Sequence, residues 1–157
     1  MAHSSSSQIC LKVRGLSDND VEQAGDVLRA CFIPPVAELY CRVLADRHTV
    51  DLAFTVAEHE GMVVGLMMHR REAGGSLYLA CLAVGPYFQG RGVGKRMVEW
   101  LKSRLPRLGC REITLHVHSL EEIPQRLYLR CGFEIIETIP NCYVDGAAAH
   151  HMRYRTC

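Results

Sequence analysis

Three strand-like runs stand in a row at residues 52–58, 62–71 and 77–84, and the third leads into a glycine-rich loop that opens a helix. His59-Glu60-Gly61 and Ala73-Gly74-Gly75-Ser76 join the runs with turn chemistry, so the strands pair as an antiparallel meander. After Gly85-Pro86 the chain reads Gln89-Gly90-Arg91-Gly92-Val93-Gly94-Lys95. Val93, Met97, Val98, Leu101 and Leu105 then recur at helical spacing until Pro106 and Gly109. A meander that hands over to a helix excludes all-helical and all-β architectures and requires a sheet with helices layered on it.

The flanking segments complete that layer. Residues 9–14 alternate apolar and polar as a half-buried strand, and Ser17-Asp18-Asn19-Asp20 supplies capping residues ahead of Val21, Ala24, Val27, Leu28 and Cys31. Pro34-Pro35 stops this helix and starts another with Val36, Leu39, Tyr40, Val43 and Leu44 on one face. A strand at 112–118, a helix at 121–131 ended by Gly132, a strand at 133–139 ended by Pro140 and a last strand at 148–154 follow. The expected fold is mixed α/β (α+β), a central, mostly antiparallel sheet of about seven strands flanked by four helices. With 157 residues and neither repeat nor linker, it forms one domain over 9–157, behind a polar segment at 1–8 that reads as a flexible tail.

Composition narrows the partners. At 48% hydrophobic and 22% charged the chain is globular, and apolar runs such as 79–84 fall far short of the ~20 residues that span a bilayer. A net charge of +1 gives no whole-molecule reason to bind nucleic acid or an anionic membrane. The basic residues are nonetheless bunched: Arg91, Lys95, Arg96, Lys102, Arg104, Arg107 and Arg111 face a single acid, Glu99, within 91–111. That bunching reads either as an anion site or as a solvated helix face. The eight cysteines include no C-x-x-C pair, so neither a zinc site nor a disulfide framework is expected. Reduced thiols in a cytoplasmic or nuclear protein are expected instead.

The loop at 89–95 offers backbone N–H groups at the positive end of a helix dipole, where anions bind. It lacks the G-x-x-x-x-G-K-[ST] pattern of a P-loop, and no parallel βαβ unit surrounds it as a dinucleotide fingerprint needs. By spacing alone it is either a phosphate cradle or a tight strand-to-helix turn.

In its setting, Q-G-R-G-V-G resembles the pyrophosphate-binding motif [QR]-x-x-G-x-[GA] of the GNAT acetyltransferases, and the element order from Leu11 to about Tyr154 is similar to that fold. The second half looks most like the San/NatE catalytic subunit group of protein N-terminal acetyltransferases. Its matching segments are L-Y-x-x-x-L with Tyr78, T-L-H-V at 114–117, L-Y-x-R-C-G-F-E-I-I-E-T at 127–138 and N-C-Y at 141–143. The resemblance implies acetyl-CoA as donor, lying between the strands at 77–84 and 112–118. It implies that backbone groups of Leu82, Ala83 and Val84 hold the pantetheine and thioester carbonyl. Gln89, Gly90, Arg91, Gly92, Val93, Gly94 and Lys95, with Arg96 beside them, then hold the pyrophosphate. Glu121, where the family commonly has asparagine, and Tyr128 are the remaining CoA contacts. Tyr78 and His116 match positions that order a proton-accepting water.

The acceptor side follows the family less closely. Pro35 and Val36 keep part of the F-P-[VI]-x-Y segment that grips the substrate, but Glu38 stands where tyrosine is expected, and Tyr40 either substitutes for it or belongs to the helix core. Ala80 replaces a methionine common in the pocket, and Cys142 replaces one tyrosine of N-Y-Y while Tyr143 keeps the other. A roomier or differently charged pocket follows. In a strand, residues two apart share a face, which groups Tyr78, Ala80, Leu82 and Val84, and likewise His116 and His118. Cys142 with His150 and His151 has spacing suited neither to a metal nor to a nucleophile, and direct transfer needs neither.

The chemistry implied is attack of an amine on a thioester. An α-amine, with a pKa of about 8, needs a weaker base than a lysine at about 10.4, and a histidine near 6.5 suits it. The expected acceptor is a protein or peptide N-terminus. The alternatives are a small-molecule amine or lysine acetyltransferase, and a weakly active CoA-binding subunit of an N-terminal acetyltransferase complex.

Overall fold

A computed structural model describes residues 9–157; the expected tail at 1–8 lies outside them. The strands are β1 (Lys12–Gly15), β2 (Ala53–His59), β3 (Met62–Glu72), β4 (Ser76–Val84), β5 (Glu112–His118), β6 (Glu134–Ile139) and β7 (Ala149–Arg155). The helices are α1 (Val21–Cys31), α2 (Pro34–Ala45), α3 (Val93–Leu108) and α4 (Glu122–Arg130). One sheet in the order β1-β2-β3-β4-β5-β7-β6 carries them, and every neighbouring pair is antiparallel except β4–β5. A parallel pair needs a crossover, and α3 supplies it.

Each sheet face has its own core. Met97, Val98, Leu101 and Leu105 of α3 and Tyr128 of α4 pack on Leu77, Leu79, Ile113, Leu115 and Val117. On the other face Ala24, Val27 and Leu28 of α1 and Leu44 of α2 pack on Val56, Leu66, Met68, Cys81 and Ala83. The strand period of two divides β5 cleanly: Ile113, Leu115 and Val117 go under the helices, while His116 and His118 go to the opposite face. Among the described residues, no helix contributes to a core over that outer part of the sheet, so its β5–β7–β6 face is a polar floor.

Two departures from the sequence reading shape the site. The β1–β2 ladder begins at Lys12↔Glu58, so the strand expected from residue 9 is shorter. Ile9 and Leu11 are buried, and their carbonyls accept hydrogen bonds from the Arg96 guanidinium at 3.1 and 3.4 Å. The second departure is a bulge, because Met68 pairs with Cys81 but His69 pairs with Leu79. Ala80 is the extra residue, and the alternation of β4 reverses there. Ala80, Cys81 and Ala83 pack with the α1–α2 core, whereas Leu82 and Val84 pack with the α3 core. The expected common face of Tyr78, Ala80, Leu82 and Val84 is therefore broken.

Candidate active site

The site forms where the parallel strands part. β4 and β5 pair only at Ser76↔Glu112, Leu77↔Ile113 and Tyr78↔Thr114, so residues 79–84 have no strand partner on their β5 side. At the last paired rung the Tyr78 hydroxyl lies 2.9 Å from Nδ1 of His116. The structure thus puts in contact the two residues that the family resemblance groups around a proton-accepting water. Burial raises the Tyr78 phenol pKa, and Arg70, 5.1 Å over its ring, opposes that shift. One edge of His116 is open to the cleft. Packing of the remainder, and then the neighbouring His151, push its pKa below the ordinary histidine value. A neutral imidazole carries one proton. If the phenol donates to Nδ1, that nitrogen is the base, reached through Tyr78; if Nδ1–H donates to the phenol oxygen, Nε2 is the base.

The acceptor side is walled by aromatic residues. Tyr40 packs its ring 5.0 Å from Phe32, and burial pushes its phenol up to about 12. Tyr40 packs, partly buried, against the α1–α2 core. Pro35 and Val36 form the first turn of α2. Glu38 is exposed and, two residues from Tyr40, lies about 200° around the helix from it. Ala80 sits at the bulge, half-buried, and Cys142 is exposed in the β6–β7 loop.

That loop is fixed by a residue whose role the sequence did not disclose. His118 Nε2 donates to Asp145 Oδ2 at 2.7 Å, while Nδ1 accepts from the backbone N–H of Leu120 at 3.1 Å. Asp145 also accepts from the N–H of Ala147 at 2.9 Å, and these bonds hold its carboxyl below the usual range. The His118 ring lies 4.6 Å from that of Tyr143, which fixes Tyr143 at the rim. The available signal was the alternation in His116-Val117-His118; Asp145 is too distant in sequence to be paired with it by pattern.

The donor side is the glycine loop. Gly90 and Gly92 have φ of +73° and +84°, a region L side chains rarely adopt. Gln89 holds the loop to the strand through Nε2 donating to the Val84 carbonyl at 2.9 Å. The backbone bond across the start of α3 is Arg96 N–H to Gly92 O, so the earlier N–H groups point out of the helix end as anion donors. A Cβ on Gly94 would stand 3.1 Å from Leu127, so this glycine lets α4 close on α3. Arg91, 5.4 Å over the Phe88 ring, and Lys95 are exposed beside the loop.

The bunched basic charge resolves by residue. Arg96 is turned to the carbonyls of Ile9 and Leu11 and is corrected from a phosphate contact to a structural one. Lys102 donates to Cys131 O at 2.9 Å, and Arg104 lies over Trp100 at 4.6 Å. Tyr128 is buried beside Phe133, its phenol pushed well up by burial and within electrostatic reach of Cys81 and Tyr40. It therefore lies by the gap between β4 and β5. Glu121 precedes α4 in extended conformation with an exposed side chain that makes no cap. Free N–H groups, an unpaired strand edge and two exposed cations fit the pyrophosphate and pantetheine of CoA. Cys142, His150 and His151 do not converge: His150 pairs with Thr138 and His151 with His116. Among the described residues, no three His, Cys, Asp or Glu side chains are grouped to hold a metal.

Comparison with solved structures finds the same architecture in enzymes acting on different amines. The ribosomal-protein-S18-alanine N-acetyltransferase from Escherichia coli superposes with a TM-score of 0.79 at 19% identity, covering 93% of this chain and 94% of that one. Ard1 from Thermoplasma volcanium gives 0.75 at 21% identity over 95% and 99% of the two chains. The aminoglycoside 6'-N-acetyltransferase from Enterococcus faecium gives 0.79 at 16% identity over 92% and 96%. At the level of sequence, the Acetyltransferase (GNAT) family matches residues 21–133, from the start of α1 to the end of the α4 turn. The chain belongs to the GNAT family of acetyl-CoA-dependent acetyltransferases.

Proposed function

We propose that this enzyme acetylates the α-amino group of protein or peptide N-termini, in the manner of the San/NatE group. The observation that carries the reading is the 2.9 Å bond between Tyr78 and His116 at the mouth of the β4–β5 gap. Bound acetyl-CoA supplies an acetyl group activated as a thioester. Leu82, Ala83 and Val84 offer the unpaired backbone of β4 to its pantetheine, and Gln89 to Lys95 offer N–H groups and cations to its phosphates. Tyr128 and Glu121 line the same side from α4. Tyr40, Tyr143, Pro35, Val36 and Ala80 orient the acceptor over the polar floor. As the amine nitrogen bonds to the acetyl carbon, the carbon–sulfur bond of the thioester breaks and CoA leaves as a thiolate that takes a proton from water, while His116 takes the amine proton through Tyr78 or one water.

The strength of this base favours an α-amine. At neutral pH the unprotonated fraction of an amine with pKa of about 8 exceeds that of one at about 10.4 by roughly 200-fold. A second reading, a small-molecule amine or lysine acceptor, is favoured by the exposed Cys142 and small Ala80, which leave the groove wider than two tyrosines and a methionine would. An intact Tyr78–His116 pair argues against a merely CoA-binding subunit, and a partner complex remains compatible with it. The free cysteines, with the Cys81 thiol pushed up to about 12 by burial, suit a reducing compartment such as cytoplasm or nucleus. The test is mass-spectrometric detection of products from free-N-terminus peptides, N-blocked lysine peptides and polyamines. Products confined to α-amines are expected; lysine or polyamine products without them would establish the second reading.

A further inference from the structure

Beside His116, on the strand away from Tyr78, stands a second imidazole. His151 is the cross-strand partner of His116 in the β5–β7 ladder, and the rings are stacked with centroids 4.5 Å apart and planes 11° from parallel. Glu137 is in turn the β6 partner of His151, its Oε2 3.9 Å from Nδ1 of that ring. Tyr78, His116, His151 and Glu137 therefore form a row across four strands on one sheet face. Two protonated rings so close repel, and at this separation the second proton is deferred by about 1 pH unit at a largely aqueous site. Only His151 has the carboxylate directly behind it.

The other groups facing the pair do not reverse that bias. Arg70 and Glu72 approach from β3 and are bonded to each other at 3.1 Å. Arg153, next on the same face of β7, is paired with Glu134 at 3.0 Å. Tyr78 from β4 and Tyr40 from α2 have phenols raised by burial and carry no charge at neutral pH.

We propose that His151 is a positioning residue for His116: stacked against it and backed by Glu137, it opposes a proton on His116 and keeps that ring a neutral base beside Tyr78. The proposal rests on the reading of His116 as the base given above. It assigns to the acetyl-transfer site a residue that does not touch the reacting atoms.

The experiment uses two variants of the whole chain, His151→Gln and His151→Phe, of which only the second keeps a ring against His116. Imidazole NMR titration of the free enzyme, with the His116 signals assigned by their loss in His116→Gln, gives the His116 midpoint without any turnover. The acidic limb of kcat/KM for a free-N-terminus peptide gives the kinetic counterpart. Both variants are expected to raise the midpoint by about 1 pH unit and to move the limb by the same amount, with the Gln variant losing more rate above pH 8 than the Phe variant. An unchanged His116 midpoint in both folded variants overturns the proposal. A shifted midpoint with an unmoved limb upholds the coupling and overturns the assignment of His116 as the base.

Discussion

Tyr78 and His116 are held by opposite requirements. Each must be buried enough to be fixed, and each must keep one polar atom in the cleft. Replacing Tyr78 by Phe or His116 by Gln is expected to lower kcat/KM about 100-fold while CoA affinity, measured by calorimetry, stays within about twofold. The pH dependence has a definite sign. In the proposed mechanism the useful form of His116 is neutral, and its pKa is depressed by packing and by His151, so activity is expected to be kept below the ordinary histidine range and lost only as pH falls further. The acidic limb of kcat/KM should lie below about 6.5, and a limb above that value contradicts the assignment. At this scale the sequence was readable where a residue's position follows from its own strand. Tyr78 and His116 were found in L-Y-x-x-x-L and T-L-H-V. The contacts of His118 and His151 were hidden, because they are made with Asp145 and His116, brought alongside only by the fold. Of the two readings of Tyr40, packing in the helix core is seen in its contact with Phe32.

The element that makes the site is the pair β4–β5, and the α3 loop completes it. Nothing lies within 4 Å of a Cβ built on Gly92, so its φ of +84° is a conformational demand and not a steric one. Gly92→Ala should therefore destabilise the fold by about 1–2 kcal/mol in urea titrations and weaken CoA binding severalfold. Arg91, in the loop, and Arg96, on α3, are expected to separate two functions of the same basic segment. Arg91→Glu should reduce CoA affinity about tenfold with little change in stability, by placing an anion beside the helix N-terminus. Arg96→Gln should do the reverse, because it releases the carbonyls of Ile9 and Leu11. Equal effects of the two substitutions on CoA binding would refute this division. Charge counting could not separate them, since the rotation of each side chain around α3 depends on what covers it. The meander and the helix order were legible from period and turns. The bulge at Ala80 was not, because one extra residue leaves no mark in an apolar run.

Across the molecule, the two helical layers are tied to the sheet by different means, apolar on the α3–α4 side and partly ionic at the start of α1. Arg14 on β1 bonds Asp20 at 2.6 and 3.0 Å and Glu58 on β2 at 2.9 Å, and the N–H of Ser17 bonds Asp20 at 2.7 Å. The Arg14 bonds lead in holding the Asp20 carboxyl at about 2. A depressed carboxylate stabilises the fold above its unfolded pKa, near 3.9, and ceases to do so as pH falls through the folded value. Asp20→Asn should thus cost on the order of 1–2 kcal/mol at pH 6, after solvent screening is allowed for, and progressively less toward pH 2. Denaturant titrations at the two pH values check this. The overall fold followed from the sequence because every layer has its own periodic apolar face, whereas in the proposed reading acceptor choice depends on a rim built from α2, β4 and the β6–β7 loop together. The account as a whole is tested most directly by one peptide bearing both a free α-amine and an internal lysine. It would be incubated with acetyl-CoA and enzyme between pH 6.5 and 8.5, and the acetyl group located by fragmentation mass spectrometry. Acetylation at the α-amine alone, reduced about 100-fold by His116→Gln, is the predicted result. Acetylation at the lysine, or at the α-amine with His116→Gln fully active, would contradict it.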